Sequence, residues 1–230
     1  MGPRLARIGS HLPFRLAALF LVSLIFLMTA ALTARAAEPP PFWARWTAHD
    51  PASTLVIDHS AWTAFLQKYV GTDAEGVNRV AYRRVSKADR RSLDDYIVRL
   101  TLAPLATYPQ SEQLAFWINL YNAVTLQTVL RHYPVASIRD IDISPGWFTP
   151  GPWEKKLVKV EGVSLSLDDI EHRILRPIWK DARLHYALNC ASVGCPNLRR
   201  EAFTGAGADD MLTEAAKAYV NDPRGGAHFR

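Results

Sequence analysis

The sequence predicts an α+β domain: a central buried helix, with flanking helices packed on a small, mostly antiparallel sheet. Three observations carry this expectation. One long segment, Ser111 to His132, is apolar on nearly every face. Two short β-prone runs flank the Glu161-Gly162 turn signal. The strand signals are few and do not alternate with helices as a parallel α/β sheet would require.

The first 36 residues read as a targeting segment. Arg4, Arg7 and Arg15 form a positive start, Leu16 to Ala34 is uncharged and apolar, and Ala34-Arg35-Ala36 offers small residues for cleavage before Ala37. Retention as a membrane anchor is the competing reading, because nineteen uncharged residues just suffice to span. The expected organisation is a signal peptide over 1–36, an extended leader over 37–58 and one globular domain over 59–230. The expected location is periplasmic or secreted, with no membrane span after cleavage.

Removing the signal also removes most of the excess charge. It holds four Arg and no acid, leaving 23 basic residues against 22 acidic ones. The basic pairs that remain are interleaved with acids, so no nucleic-acid footprint is expected. Two Cys exclude a scaffold of several disulfides.

Along the domain, Ala61 to Val70 carries apolar residues at helical spacing and stops at Gly71. Val77 to Val85 reads as a strand. Ser86-Lys87-Ala88-Asp89 resembles a capping box opening a helix to about Ala103. Ser111 is the expected cap of the long helix, and Pro134 its end. Within that helix Leu114, Trp117, Ile118, Tyr121, Val124 and Thr128 mark one face, while two amides, Asn119 and Asn122, must find partners if buried. Lys156 to Val160 and Val163 to Leu165 read as a hairpin, and Ser166 or Asp168 caps a helix over Leu167 to Leu175. Leu184 to Asn189 is read as a short strand, with His185, Ala187 and Asn189 on one face. A final amphipathic helix covers about Asp209 to Val220.

Four stretches together resemble one family: Ala115-Phe116-Trp117-Ile118-Asn119-Leu120-Tyr121-Asn122-Ala123; Ser166 to His172 with Ile174-Leu175-Arg176; His185 to Cys190; and Gly194-Cys195-Pro196-Asn197-Leu198. They resemble the domain of unknown function 547 family over about Tyr82 to Gly225. The resemblance implies an exported or domain-level module of unassigned activity. The family pattern continues past Asn221 to Gly225, so a chain ending at Arg230 is expected to be truncated and to expose part of its last helix.

Three chemistries compete for the cysteine region. Cys195, ahead of Pro196, sits where a helix N-cap would lower a thiol pKa. It is thus the candidate nucleophile of a thiol-dependent acyl-transfer or hydrolase-like reaction, with His172 or His185 as base and Asn119 and Glu171 as orienters. In that reading Cys195 is the more reactive thiol and Cys190 the more buried. The alternative is a non-enzymatic binding or structural module with Cys190 and Cys195 disulfide-bonded. A further alternative is a zinc site built on His185, Cys190, Cys195 and His172. Arg176, Asn122, Trp147 and Trp153 are the candidate ligand contacts, with an unknown peptide, glycan or small molecule as partner. No H-E-x-x-H, G-x-S-x-G or phosphate-loop pattern occurs, and no cofactor is expected.

Overall fold

The computed structural model describes residues 43–146, 149–192 and 194–222. The expected signal peptide, the first six residues of the expected leader, Trp147 and the chain after Asp222 lie outside the described residues. Helix α1, Ser60–Tyr69, buries Trp62, Phe65, Leu66 and Tyr69, which recur at three- and four-residue spacing. It runs directly into strand β1, Val70–Thr72, which pairs antiparallel with β2, Asn78–Val80. Asp73 shapes the turn between them, accepting hydrogen bonds from the Glu75 and Val77 amides, with Gly76 at φ +80°. The strand expected over Val77 to Val85 is therefore only three residues long, limited by its partner. A 3-10 turn, Tyr82–Arg84, follows it.

Ser86 caps helix α2, Lys87–Thr101, by accepting the Asp89 amide at 3.1 Å. The Asp89 carboxylate in turn collects the Ser86 and Tyr69 hydroxyls and the Lys68 ammonium, and these interactions hold its pKa far below the usual range. Leu93, Tyr96, Ile97 and Leu100 form the buried stripe of α2. The Trp62 ring stacks on Tyr96, with 6.1 Å between centroids, tying α1 to α2.

Helix α3, Gln110–His132, is the centre of the domain: every residue from Glu112 to Leu130 is buried. Ser111 lies inside it and does not cap it; Pro109 occupies the cap position and makes no side-chain cap bond. The first-turn Glu112 carboxylate instead accepts the Ile57 amide at 3.1 Å, so a preceding segment is tied to the helix start. Two residues of the described part of the expected leader, Trp46 and Ile57, are buried in the core. Trp46 is buried on a 3-10 turn, Ala44–Thr47, and meets Trp117 edge-on at 5.0 Å.

The predicted hairpin forms from β3, Val158–Val160, and β4, Val163–Leu165, through Glu161 and Gly162, both at positive φ. The fold is α+β, with two separate two-stranded antiparallel sheets where one small sheet was expected. Ser166 and Asp169 then cap each other reciprocally: the Ser166 hydroxyl accepts the Asp169 amide, and the Asp169 carboxylate accepts the Ser166 amide.

The helix they start is wound as a π-helix over Asp169–Leu175 and continues as α4, Arg176–Trp179. Pro177 accounts for part of this irregularity. It has no N–H for the carbonyl of Arg173, one turn back, and its ring crowds that carbonyl. The Trp43 amide donates to the freed oxygen at 3.3 Å.

Leu184 to Asn189 is not a strand. Leu184–Ala187 forms one helical turn, α5, followed by extended Leu188. A six-residue apolar run has no period long enough to separate the two states. Helix α6, Ala208–Val220, closes the domain and buries Ala208, Leu212 and Ala215. Among the described residues, no helix is long and apolar enough to cross a membrane.

Candidate functional site

Two buried amides on α3 position the loops around the site. Asn119 donates from Nδ2 to the Phe203 carbonyl at 2.8 Å and accepts the Phe203 amide at 2.9 Å. Asn122 does the same between two residues, donating to the Ala187 carbonyl and accepting the Asn189 amide, each at 2.9 Å. Each side chain thus stands in for a strand neighbour. Leaving either backbone pair unmet in the interior would cost about 1–3 kcal/mol per group. Neither amide reaches a histidine. Asn119 and Asn122 hold loop backbone with both ends of their amides.

Asn189 carries the clamp into the cysteine loop. Its Nδ2 donates to the Pro196 carbonyl at 2.7 Å, and its Oδ1 accepts the Ala191 amide at 3.0 Å. The loop is closed covalently by a Cys190–Cys195 disulfide, with 6.0 Å between Cα atoms. Cys195 is buried at 6% exposure, while Cys190 is half-buried. The expected ranking is therefore inverted, and Cys195 is not at a helix N-cap, because Pro196 opens no helix. With both sulfurs bonded there is no thiolate to attack a carbonyl or to ligate zinc. Among the described residues, no group of His, Cys, Asp and Glu is arranged to hold a metal.

The disulfide lines one side of a cleft of about 130 Å³; Tyr121, Glu171, His185, Leu188, Gly194 and Pro196 line the remainder. The π-helix explains how Glu171 and Arg176 work as a pair. In an α-helix, residues five apart lie about 140° apart around the axis and meet poorly. Here the Arg176 amide donates to the Glu171 carbonyl, an i to i−5 bond that brings the two side chains nearly into line. Arg176 Nε and Nη2 both donate to Glu171 Oε1, at 3.0 and 2.6 Å. Arg176 is thereby paired with a carboxylate of its own helix through Nε and Nη2.

The same Nη2 lies 3.5 Å from His185 Nδ1. A guanidinium has only donors, so Nδ1 accepts, and in the neutral ring the proton sits on Nε2. Beneath the pair, burial pushes the Tyr121 hydroxyl pKa far up, reinforced by the negative charges of Glu171 and Asp168 and by hydrogen bonding to Glu171. Tyr121 therefore stays protonated at every physiological pH.

Of the predicted site residues, the structure brings together Glu171, Arg176, His185 and Cys195. His172 is exposed on the helix and lies outside the cleft lining, close enough to Asp168 to interact electrostatically with it. Trp153 is half-buried against the core, its ring lying over Gly151. Tyr121 and Asn189 were not singled out from sequence. Both stand inside the quoted stretches, but an apolar helix face and a strand face gave them no distinguishing mark.

A protein-family comparison matches residues 105–220, just over half of the chain, to the family described as protein of unknown function, DUF547. The chain belongs to this family. The match covers the central helix, the π-helix, the cysteine loop and α6, so every cleft residue falls within the DUF547 region. Among curated proteins and solved structures, no match to the chain was found.

Proposed function

We propose that this DUF547 chain is an exported binding domain, periplasmic or secreted, whose cleft takes one amide-bearing group against a disulfide wall. The observation that carries the reading is the Glu171–Arg176–His185 chain. It sets a carboxylate acceptor and an imidazole whose Nε2 is the donor on the walls of one small cleft, and an amide offers one donor and one acceptor in return. A volume of about 130 Å³ suits a single functional group and not a whole substrate. Export is supported by the signal-like residues 1–36 and by the disulfide, which persists in oxidising compartments.

The test is an NMR titration of the 15N-labelled protein with N-methylacetamide and, separately, with acetate. The expected result is amide-selective shifts confined to residues around Tyr121, Glu171, His185 and Gly194, lost in Glu171→Gln. Equal response to acetate, or shifts scattered over the surface, would overturn the reading.

One observation favours a second reading: both cysteines line the same cleft as His185. Reduction would free Cys195 as a thiol beside that imidazole, giving the acyl-transfer or hydrolase-like chemistry a nucleophile. Hydrolysis of p-nitrophenyl acetate that requires reductant and disappears in Cys195→Ser would establish it. Activity independent of either would remove it.

A further inference from the structure

A depression of about 410 Å³ lies over the β1–β2 hairpin, and it shares no lining residue with the cleft. That volume is within the range of small-molecule sites. The strand pairing explains its floor. Val70 and Val80 sit opposite each other and pack against the core, so the next pair, Gly71 and Arg79, faces outward. Gly71 is exposed, its φ is not in the left-handed region, and a Cβ there would meet nothing within 4 Å. Neither the backbone nor the packing calls for a glycine here, and a bare residue weakens a strand. It leaves an uncovered stretch of backbone that a ligand can approach closely.

The charges around that floor are mostly of one sign. Lys68, Arg79, Arg84 and Arg200 line the depression, against the single acid Asp73. Two of the four cations are balanced: Arg79 pairs with Asp73 at 2.5 Å, and Lys68 with Asp89 of α2 at 2.9 Å. The other two are not. Arg84 is exposed, and its guanidinium has no hydrogen-bond or ion-pair partner among the described residues. Arg200 is exposed and reaches only the Gln67 carbonyl, at 3.4 Å. The acid beside it in sequence, Glu201, is taken up by Arg199 at 2.6 Å. The depression therefore holds two positive charges in excess. A guanidinium fork matches the oxygens of a phosphoryl group, and a phosphate monoester carries about −1.5 to −2 charges at neutral pH. Such a dianion balances both arginines, whereas a carboxylate or a phosphodiester balances one.

We propose that the hairpin depression binds a phosphate monoester, its phosphoryl group met by Arg84 and Arg200 and the adjoining atoms lying over Gly71. That chemistry occurs both on small soluble esters and on the phosphatidate headgroup of a lipid surface.

Chemical-shift titration of the 15N-labelled full chain with methyl phosphate and with dimethyl phosphate tests it, since the two probes differ by one charge. Methyl phosphate is expected to bind about tenfold tighter, with shifts centred on Gly71, Arg79, Arg84 and Arg200. Arg84→Gln and Arg200→Gln should each remove most of that difference without lowering the melting temperature, and Arg84→Lys should restore part of it. Gly71→Val fills the floor with a good strand former, so it should weaken methyl phosphate while leaving the melting temperature unchanged or higher. Sedimentation with vesicles of phosphatidylcholine containing phosphatidate separates the two sources. Pelleting that needs phosphatidate and is lost in Arg84→Gln assigns the site to a lipid headgroup, and methyl phosphate binding without pelleting assigns it to a soluble ester. Equal affinity for the two phosphates, shifts elsewhere on the surface, or binding that survives both arginine substitutions would overturn the proposal.

Discussion

Lowering the pH from 7 to 4 should destabilise the domain through one buried imidazole. His59, at the start of α1, is 5% exposed. Its Nδ1 lies 2.7 Å from the Tyr96 hydroxyl, and its Nε2 is buried with no partner among the described residues. Burial drives its pKa from 6.5 down to about 4, with the Asp58 charge opposing only in part. A depressed histidine pKa means that the folded state resists a proton the unfolded chain accepts. Stability from this group is therefore complete above about pH 6.5 and is lost as pH falls towards 4, where the folded state also binds the proton. The span from 6.5 to about 4, at about 1.36 kcal/mol per pH unit, amounts to about 3 kcal/mol. The carboxylates of Asp58, Asp73 and Asp89 are held below their usual range, so they titrate beneath this window. The assay is urea denaturation followed by tryptophan fluorescence at several pH values between 7 and 4, for the wild type and His59→Gln. The wild type should lose about 3 kcal/mol more than the variant across the window, and the variant should begin less stable at pH 7. Parallel loss in the two proteins would refute the argument, because the titrating group would then lie elsewhere.

Three further outcomes follow from packing and covalent geometry. Trp117→Ala removes a side chain with no exposure, set between Trp46 and Phe116, and should cost about 3–5 kcal/mol in denaturant melts; under about 1 kcal/mol would mean that the helix is not the folding centre. Replacing Cys190 and Cys195 together by Ser opens a six-residue loop, and the loop-entropy relation puts the loss at about 2 kcal/mol, to be read as a shift in the urea midpoint; an unchanged midpoint would count against the bond as a staple. Gly151→Ala places a Cβ 2.1 Å from the Trp153 ring at φ +86°, so both the ring and the backbone must shift, and a lower melting temperature is expected; an unaltered one would mean that the loop repacks freely.

The fold was largely legible where one residue pattern had a single physical outcome. A segment apolar on all sides can only be an interior helix, and Ser86 followed by Asp89 has a standard partner in its own first turn. The site was legible only in parts, because its geometry depends on irregular backbone. Glu171 and Arg176 would be badly spaced on an α-helix, and the π-wound turn that aligns them leaves no trace in composition. Cys195 looked exposed because Pro196 often opens helices, but Asn189 takes the Pro196 carbonyl and folds the segment inward. The two asparagines of α3 were recognised as amides in need of partners, and their targets, 65 or more residues away in sequence, became visible only in three dimensions.

Those two asparagines have a consequence for how the domain breathes. The amide protons of Asn189 and Phe203 belong to irregular segments, which ordinarily open and exchange with solvent long before helices do. Here both protons are held by side chains rooted in the most deeply enclosed helix of the molecule. Their release requires α3 itself to move or its side chains to let go. In deuterium exchange they should keep pace with the slowest helical protons and lag far behind their own sequence neighbours. The segments bearing the cysteine loop and the start of α6 are thus loops in shape but share the lifetime of the core.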